Sequence, residues 1–484
     1  MMTLAWDELL PPGSLPEKRL RDRAVKIGIA STAKPGAAMT AAFEDERDTR
    51  AAYDFMENKR MSLPVLLDPA TRAVGRGLRA EPQETTVLCV QDTTEINLAH
   101  LATMTGLGAI GNPKNLGLFA HSALAVGTDG APIGLLGVET WVRPVKTRGK
   151  AKERRAKPFD EKESARWWRT IEQAEERVRR PGLLVHVGDR ESDIYEVFER
   201  SRAKSFRLLV RAAHDRKVEG DGAHLWAQVS GFATSKETRT IHLPEQRALP
   251  ATSTRAARKA RPARDAVISI QFGSVTVCAP HKAKGTVVLS SVHAFEVEPP
   301  EGVEPIEWLL LSSDVLASEA DAWLRVDWYK CRWLIEEFHK VLKSGCGVEK
   351  RQFESRRTFE VSFGISLLTA ARLLALTKQA RIAPEQPASS VLTTNEEEVL
   401  LRHAETHNRR PVGVLTLKDA VVLIAKLGGY LGRKNDGPPG WLTLWRGLRH
   451  LCALVDGYHL AQASPPQERP SARLPGETRR HQGI

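Results

Sequence analysis

The chain has little that would route it to a bilayer or to an oxidising compartment. No apolar run approaches the roughly 18–20 residues that a membrane helix requires. The opening MMTLAWDELLPPG lacks the basic and apolar regions of a secretory signal. Cysteine is scarce: Cys89, Cys278, Cys331, Cys346 and Cys452 are odd in number and scattered, and no two are spaced as C-x-x-C. That speaks against a disulfide framework and against a structural zinc site. No internal repeat is visible. These absences lead us to expect a cytoplasmic protein with no membrane partner.

What the chain has in excess is positive charge. Lysine and arginine number 71 against 59 acidic residues, a formal net charge of +12. A polyanionic partner, most simply nucleic acid, would account for this, although many enzymes are also basic. At 484 residues the chain is long enough for two or three domains.

Residues 1–70 read as helical. SLPEKRLRDRAVKIGIAS offers Ser14 as a cap and Pro16 in the first turn. Leu20, Ala24 and Ile27 share one face, leaving Lys18, Arg19, Arg21, Arg23 and Lys26 outward. Such a face is either merely solvated or a grip for phosphates. A second helical segment is expected at 45–58. From about residue 85 short β runs follow (86–91, 118–126, 133–142), then LLVHV at 183–187, a helical stretch and FRLLV at 206–210. Hairpins followed by strands alternating with helices suggest a mixed sheet with helices packed on it. Residues 216–310 read as a β insertion. The segments 145–157 and 254–264 are strongly basic. Beyond 320 the chain turns helical, and 441–460 carries an apolar stripe that needs a partner surface, in this chain or in a second copy. The Pro-rich tail 463–484 is expected to be disordered.

The stretch DWYKCRWLIEEFHKVLKSG, 327–345, carries the most chemistry. If it is one α-helix with Tyr329 at zero, Arg332 falls near ~300°, Glu336 near ~340°, Lys340 near ~20° and Lys343 near ~320°, so these share a face; Glu337, near ~80°, does not. Glu336 and Lys340 could be an ordinary i, i+4 pair. Alternatively, the cations and hydroxyl hold phosphates while Glu336 binds a divalent metal. One carboxylate is not enough for that, and the others should sit at strand ends. Asp92 in VLCVQDTTE and Asp189 in LLVHVGDRESDI occupy such positions, although each could simply form a turn or cap a helix. Asp193 is better placed to orient its neighbours than to ligate.

These residues resemble a known pattern. Tyr329, Arg332, Glu336 and Lys343 have the spacing of the YREK signature of the insertion-sequence-four family of bacterial DDE transposases. QDTT at 91–94 and DRESDI at 189–194 resemble the blocks that carry its two aspartates. EKESARWW at 161–168, VRAAHDRK at 210–217, EWLLL at 307–311 and LGGYLG with GWLTLWRGL are similar to further family blocks.

The resemblance implies an α/β, RNase H-like mixed sheet with helices on both faces and a β-rich insertion. It divides the chain into a helical DNA-binding domain (1–70), a catalytic domain (71–374) with the insertion at about 216–310, a helical dimerisation region (375–462) and the tail. It implies Asp92, Asp189 and Glu336 as the Mg²⁺-binding triad, with Mn²⁺ able to substitute. Tyr329, Arg332, Lys340, Lys343 and Arg211 would contact phosphates, Trp308 would stack a flipped base, and Lys18 and Arg19 belong to the DNA-binding segment. The implied partners are double-stranded DNA, as inverted-repeat ends and as target, and a second copy of the chain. The implied activity is excision through a 3′-hydroxyl and a hairpin, followed by insertion. A nuclease without strand transfer, or an inactive DNA-binding regulator, would share parts of the pattern.

Overall fold

The structure is a computed structural model. It describes residues 6–462 apart from 44, 102, 144–156, 221–222, 244, 246–247, 249–259, 261, 281–284, 391, 408–410, 412 and 434–435. Nearly all of the basic segment 145–157, most of 254–264 and the whole tail 463–484 therefore lie outside the described residues.

The strands are β1 (Val87–Asn97), β2 (Gly108–Ile110), β3 (Asn112–Gly127), β4 (Pro132–Trp141), β5 (Leu184–Gly188), β6 (Arg207–Arg211), β7 (Arg239–Leu243), β8 (Arg264–Cys278), β9 (Thr286–Glu296) and β10 (Glu307–Ser312). They form one sheet in the order β2-β3-β1-β5-β6-β10-β9-β8-β7, with β4 also paired to β3. β1, β3 and β4 run antiparallel, whereas β1, β5 and β6 are parallel. Three antiparallel strands followed by two parallel ones, in the order β4-β3-β1-β5-β6, make the RNase H-like core. The long β8–β9 hairpin extends that sheet through β10.

Side chains alternate between faces along a strand, and both faces here are apolar. Leu208, Val210, Leu309 and Leu311 enter one core cluster with Trp167, Trp168 and Phe198; Leu209 and Leu310 enter another with Trp323, Tyr329 and Ile335. Helix Arg166–Val178 packs on β3 and β4, and helix Trp333–Lys340 packs on β1. Helices thus cover both faces.

Helix Arg356–Ile382 has a mean hydropathy of 1.6 over an 18-residue window and is long and apolar enough to cross a membrane by length and composition, contrary to our reading of the apolar runs. However, 78% of that window is buried inside the protein, packed against β4 and the N-terminal helices, so it serves as a core helix.

The N-terminal segment begins differently from expectation. Its long helix spans Lys18–Ala33 behind Glu17, and Ser14 does not cap it. Residues 14–17 are bends rather than a first turn, and Leu15 among them is buried. Helix Glu46–Glu57 starts as expected, with the Asp45 side chain accepting the Arg47 N–H. Residue 70 lies inside helix Leu63–Arg79. The apolar stripe of helix Trp441–Gln462 finds a surface within this chain: Leu444, Leu448 and Leu451 are buried, and the helix packs on helices Leu417–Leu427 and Thr394–Thr406. Gly447 permits that contact, since a Cβ there would lie 1.7 Å from the Ile424 carbonyl oxygen.

Candidate active site

Asp92 and Asp189 are brought together by strand register. The last recorded pair of the parallel β1/β5 ladder is Val90 with Val187, so the two aspartates stand at equivalent positions two residues further along adjacent strands. Parallel neighbours lie about 4.8 Å apart. Asp189 does cap a turn: its Oδ1 accepts the Glu191 N–H at 2.8 Å, opening the 3₁₀ turn Arg190–Ser192. Gly188 is required there, because a Cβ would fall 2.2 Å from Ser192 Oγ.

Glu336 arrives from the helical stretch, which is not the single uniform helix expected. Ser318 and Asp321 form a capping box that starts helix Glu319–Lys330. A turn at Cys331–Arg332 separates it from helix Trp333–Lys340, and a π-turn, Val341–Gly345, follows. A π-turn advances more residues per revolution than an α-turn, so the angle expected for Lys343 does not apply. Lys343 instead lies 3.8 Å from Glu349.

Glu336 pairs backward rather than forward. Its Oε1 accepts from Arg332 Nη2 at 2.5 Å, and Arg332 Nη1 stands 3.8 Å from Asp92 Oδ2. Lys340 is exposed. Glu337 reaches a neighbouring element, 2.8 Å from Lys378. Burial, reinforced by the charges of Asp189 and Glu336, pushes the Asp92 carboxyl up to about 7; the Thr93 N–H and the Arg332 cation work against this. The charges of Asp189 and Glu336 therefore both reach Asp92. Even so, among the described residues no group of three or more His, Cys, Asp or Glu side chains is drawn close enough to hold a metal ion, and a guanidinium lies between Asp92 and Glu336 instead.

The residues around them are basic and aromatic. Tyr329 is buried, which pushes its phenol up, while the neighbouring Arg332 and Arg211 oppose the shift. Arg211, on β6, donates from Nη2 to the Glu307 carbonyl at 2.9 Å. Trp308 packs edge-on against Tyr329 at 5.6 Å and is only partly buried. Beside Glu336 opens a cavity of about 360 Å³ lined by Trp333, Lys340, Lys378 and Arg381 among others. At the N-terminus Lys18 and Arg19 are exposed, whereas Arg23 and Lys26 are both held by Asp48, at 2.9 and 2.5 Å.

Sequence reasoning assigned no role to a buried polar network on the opposite face of β1, where Gln91 and Thr93 meet His121, His186 and Arg166. The blocks QDTT and EKESARWW contained the signal: an unbroken polar run at the end of an apolar strand, whose alternate members Gln91 and Thr93 must face away from Asp92, and an arginine ahead of two tryptophans.

Three family models match this chain in order: transposase DNA-binding at 13–61, transposase DDE domain at 157–372 and transposase Tn5 dimerisation domain at 368–466. The chain is a DDE transposase. The DDE match takes in Asp189 and Glu336, while Asp92 lies upstream of it. A transposase with these parts binds DNA, acts as a nuclease and strand transferase that uses divalent metal ions, and forms dimers. One solved structure that is similar to the transposase, described as a cryo-EM structure of piggyBac transposase synaptic complex with hairpin DNA, has a TM-score of 0.37 at 9% identity, covering 96% of this chain and 78% of that chain.

Proposed function

We propose that this protein is a cut-and-paste transposase of the insertion-sequence-four type, with Asp92, Asp189 and Glu336 as its metal ligands and Tyr329, Arg332 and Lys343 completing the YREK group. The observation that carries this reading is the cation already seated among the carboxylates: Arg332 reaches both Asp92 and Glu336. Three half-buried carboxylates, two of which raise the third by repulsion, would offer hard-oxygen donors that suit Mg²⁺, or Mn²⁺ in its place, once the guanidinium withdraws. When bound, the ions would supply Lewis-acid activation of the attacking oxygen and charge stabilisation at the scissile phosphate.

The chain's own side chains do the rest. Arg332, released from the carboxylates, turns its fork to a backbone phosphate, with Arg211, Lys340 and Lys343 as further cationic contacts to phosphate. Tyr329 braces Trp308, whose partly open ring stacks a base displaced from the duplex in this reading; such stacking contributes about 1–3 kcal/mol. A water attacks in line and leaves a 3′-hydroxyl at a nick; that hydroxyl attacks the opposite strand, closing a hairpin and expelling the flanking DNA; a second water opens the hairpin to a blunt end, and the regenerated 3′-hydroxyl attacks target DNA, expelling a target 3′-oxygen. Lys18 and Arg19 hold the terminal repeat, and two copies of the chain synapse the two ends in the bacterial cytoplasm.

The test is cleavage of the inverted repeats that flank the gene, in Mg²⁺, by wild type and by Asp92→Asn, Asp189→Asn and Glu336→Gln. We expect nicked and hairpin products from wild type and losses of at least a thousandfold in each folded variant. Intact cleavage in any of the three would remove that residue from the triad. Joining of a labelled, precut end to a plasmid separates a transposase from a nuclease without strand transfer.

A further inference from the structure

Arg166 lies behind the site, on the face of β1 opposite Asp92, and is only 8% exposed. Each arm of its guanidinium points at a different segment. Nε donates to Thr93 Oγ1 at 3.0 Å, Nη2 to Glu191 Oε2 at 2.6 Å and Nη1 to the Glu163 carbonyl at 3.2 Å. Thr93 is the residue after Asp92. Glu191 belongs to the turn that Asp189 opens, and its N–H is held by Asp189 Oδ1. One planar cation therefore ties together the two segments that carry the aspartates, packed near the indoles of Trp141 and Trp167 at 5.2 and 5.9 Å.

The Thr93 hydroxyl is not free to turn away from that contact. A guanidinium only donates, so Thr93 Oγ1 accepts from Arg166, and with the far end of the chain fixed by the Glu175 carboxylate, which only accepts, its own proton goes to His121 Nδ1, 2.9 Å away. His121 is fully buried, which keeps it neutral, and with Nδ1 accepting, its proton is on Nε2, 3.2 Å from Gln91 Oε1. The Gln91 amide then donates to His186 Nδ1 at 3.3 Å, and His186 Nε2–H donates to Glu175 Oε1 at 2.9 Å. Every tautomer follows from its neighbour. The chain runs in one direction, from the Arg166 cation through β1, β3 and β5 to the Glu175 carboxylate, and reversing the His121–Gln91 or the Gln91–His186 link alone would set two acceptors or two donors against each other.

We propose that Arg166 is a positioning residue that sets the separation of Asp92 and Asp189, with the Thr93–His121–Gln91–His186–Glu175 chain fixing the hydroxyl it grips. This rests on the triad proposed above. Partners of this outer kind typically change metal affinity by about 10–100-fold. Arg166 is too enclosed to reach DNA, so its effect should appear before DNA is added.

The test is Mn²⁺ binding to the DNA-free full-length protein, followed by the loss of free-ion electron paramagnetic resonance signal, together with melting temperature. Arg166→Lys keeps the charge and loses the fork; Thr93→Val loses the hydroxyl, and Thr93→Ser retains it. We expect about tenfold weaker Mn²⁺ binding in Arg166→Lys and Thr93→Val, and binding within twofold of wild type in Thr93→Ser. The structural control is Arg207→Lys, which disturbs a guanidinium pair with Asp314 2.8 Å across the sheet and should lower the melting temperature without changing Mn²⁺ affinity. End cleavage by Arg166→Lys should recover as Mg²⁺ is raised. Mn²⁺ affinity unchanged in folded Arg166→Lys and Thr93→Val overturns the proposal, as does an equal loss in Arg207→Lys. If wild type and Asp92→Asn bind Mn²⁺ equally, the triad reading itself has failed.

Discussion

Arg332 Nη2 and Glu336 Oε1 are 2.5 Å apart, one helical turn from each other, and the same guanidinium stands 3.8 Å from Asp92. A residue read as a phosphate contact is thus, without DNA, the counter-ion of the proposed metal site. It must leave for ions to enter, and binding of ions frees it for the backbone. Arg332→Ala should therefore tighten Mn²⁺ binding in the DNA-free protein by about fivefold, about 1 kcal/mol, the upper end for a pair with one half-open partner. The same variant should bind transposon-end DNA more weakly. Weaker Mn²⁺ binding in Arg332→Ala would show that the guanidinium supports the site rather than competing for it.

Asp92 makes the metal-free protein sensitive to pH. Its ordinary value is 3.8 and the folded value is about 7, so between these the folded state holds a proton that the unfolded chain has released. Stability therefore falls as pH rises from about 4 to about 7 and is flat above, with a full cost of about 3 kcal/mol after allowance for solvent at the side chain. Asp92→Asn should melt higher than wild type at pH 8 in chelator, and the difference should shrink towards pH 4. Divalent binding should release about one proton below pH 7, so affinity should drop as pH falls. Calorimetry in two buffers of different ionisation enthalpy reads that proton directly.

The strands and the site differ in how far they could be seen in the sequence. β1, β3, β4, β5 and β6 announce themselves because β-branched and aliphatic runs between turn residues have few other solutions, and the positions of Asp92 and Asp189 follow from where those runs stop. The position of Glu336 was visible too, and so were two cations one turn away on its face, but not that it takes Arg332 rather than Lys340. A helical wheel assumes uniform turns, whereas the break at Cys331–Arg332 and the π-turn at Val341–Gly345 are set by packing against the sheet and helix Arg356–Ile382. Glu337 pairs with Lys378 and Arg23 with Asp48, and neither separation along the chain could be guessed. The network from Arg166 to Glu175 was hidden for a related reason: each member looks like an isolated polar residue until β1, β3 and β5 stand side by side.

Asp193 was read as an orienting residue rather than a ligand, and it is wholly enclosed. It accepts from the N–H groups of Ala213 and His214 at 2.7 and 3.0 Å and from Arg216 Nε at 2.7 Å. Removing one partner of a buried ion pair strands the other, at a cost of about 3–5 kcal/mol. Asp193→Ala should lower stability by that much in urea titration. Asp193→Ala with Arg216→Ala should be less destabilised than the sum of the two single variants, because neither charge is then left alone. Additive losses would mean that the backbone contacts of Asp193, rather than the pair, carry the energy.

Four cations of helix Lys18–Ala33 allow a graded test of DNA contact. Lys18 and Arg19 are exposed, whereas Arg23 and Lys26 are already held by Asp48. Each phosphate contact contributes about 0.9 to the slope of log affinity against log salt on duplex DNA. The Lys18→Ala/Arg19→Ala double variant should therefore lower the magnitude of that slope by about 2 on terminal-repeat DNA. Arg23→Ala/Lys26→Ala should change it by less than 1, because those cations stay with Asp48 unless DNA pulls them away. Fluorescence anisotropy from 50 to 300 mM salt measures both. Equal slope changes in the two double variants would mean that DNA strips the Asp48 pairs and uses the whole helix face; no change in the first would place the DNA contact elsewhere on the chain.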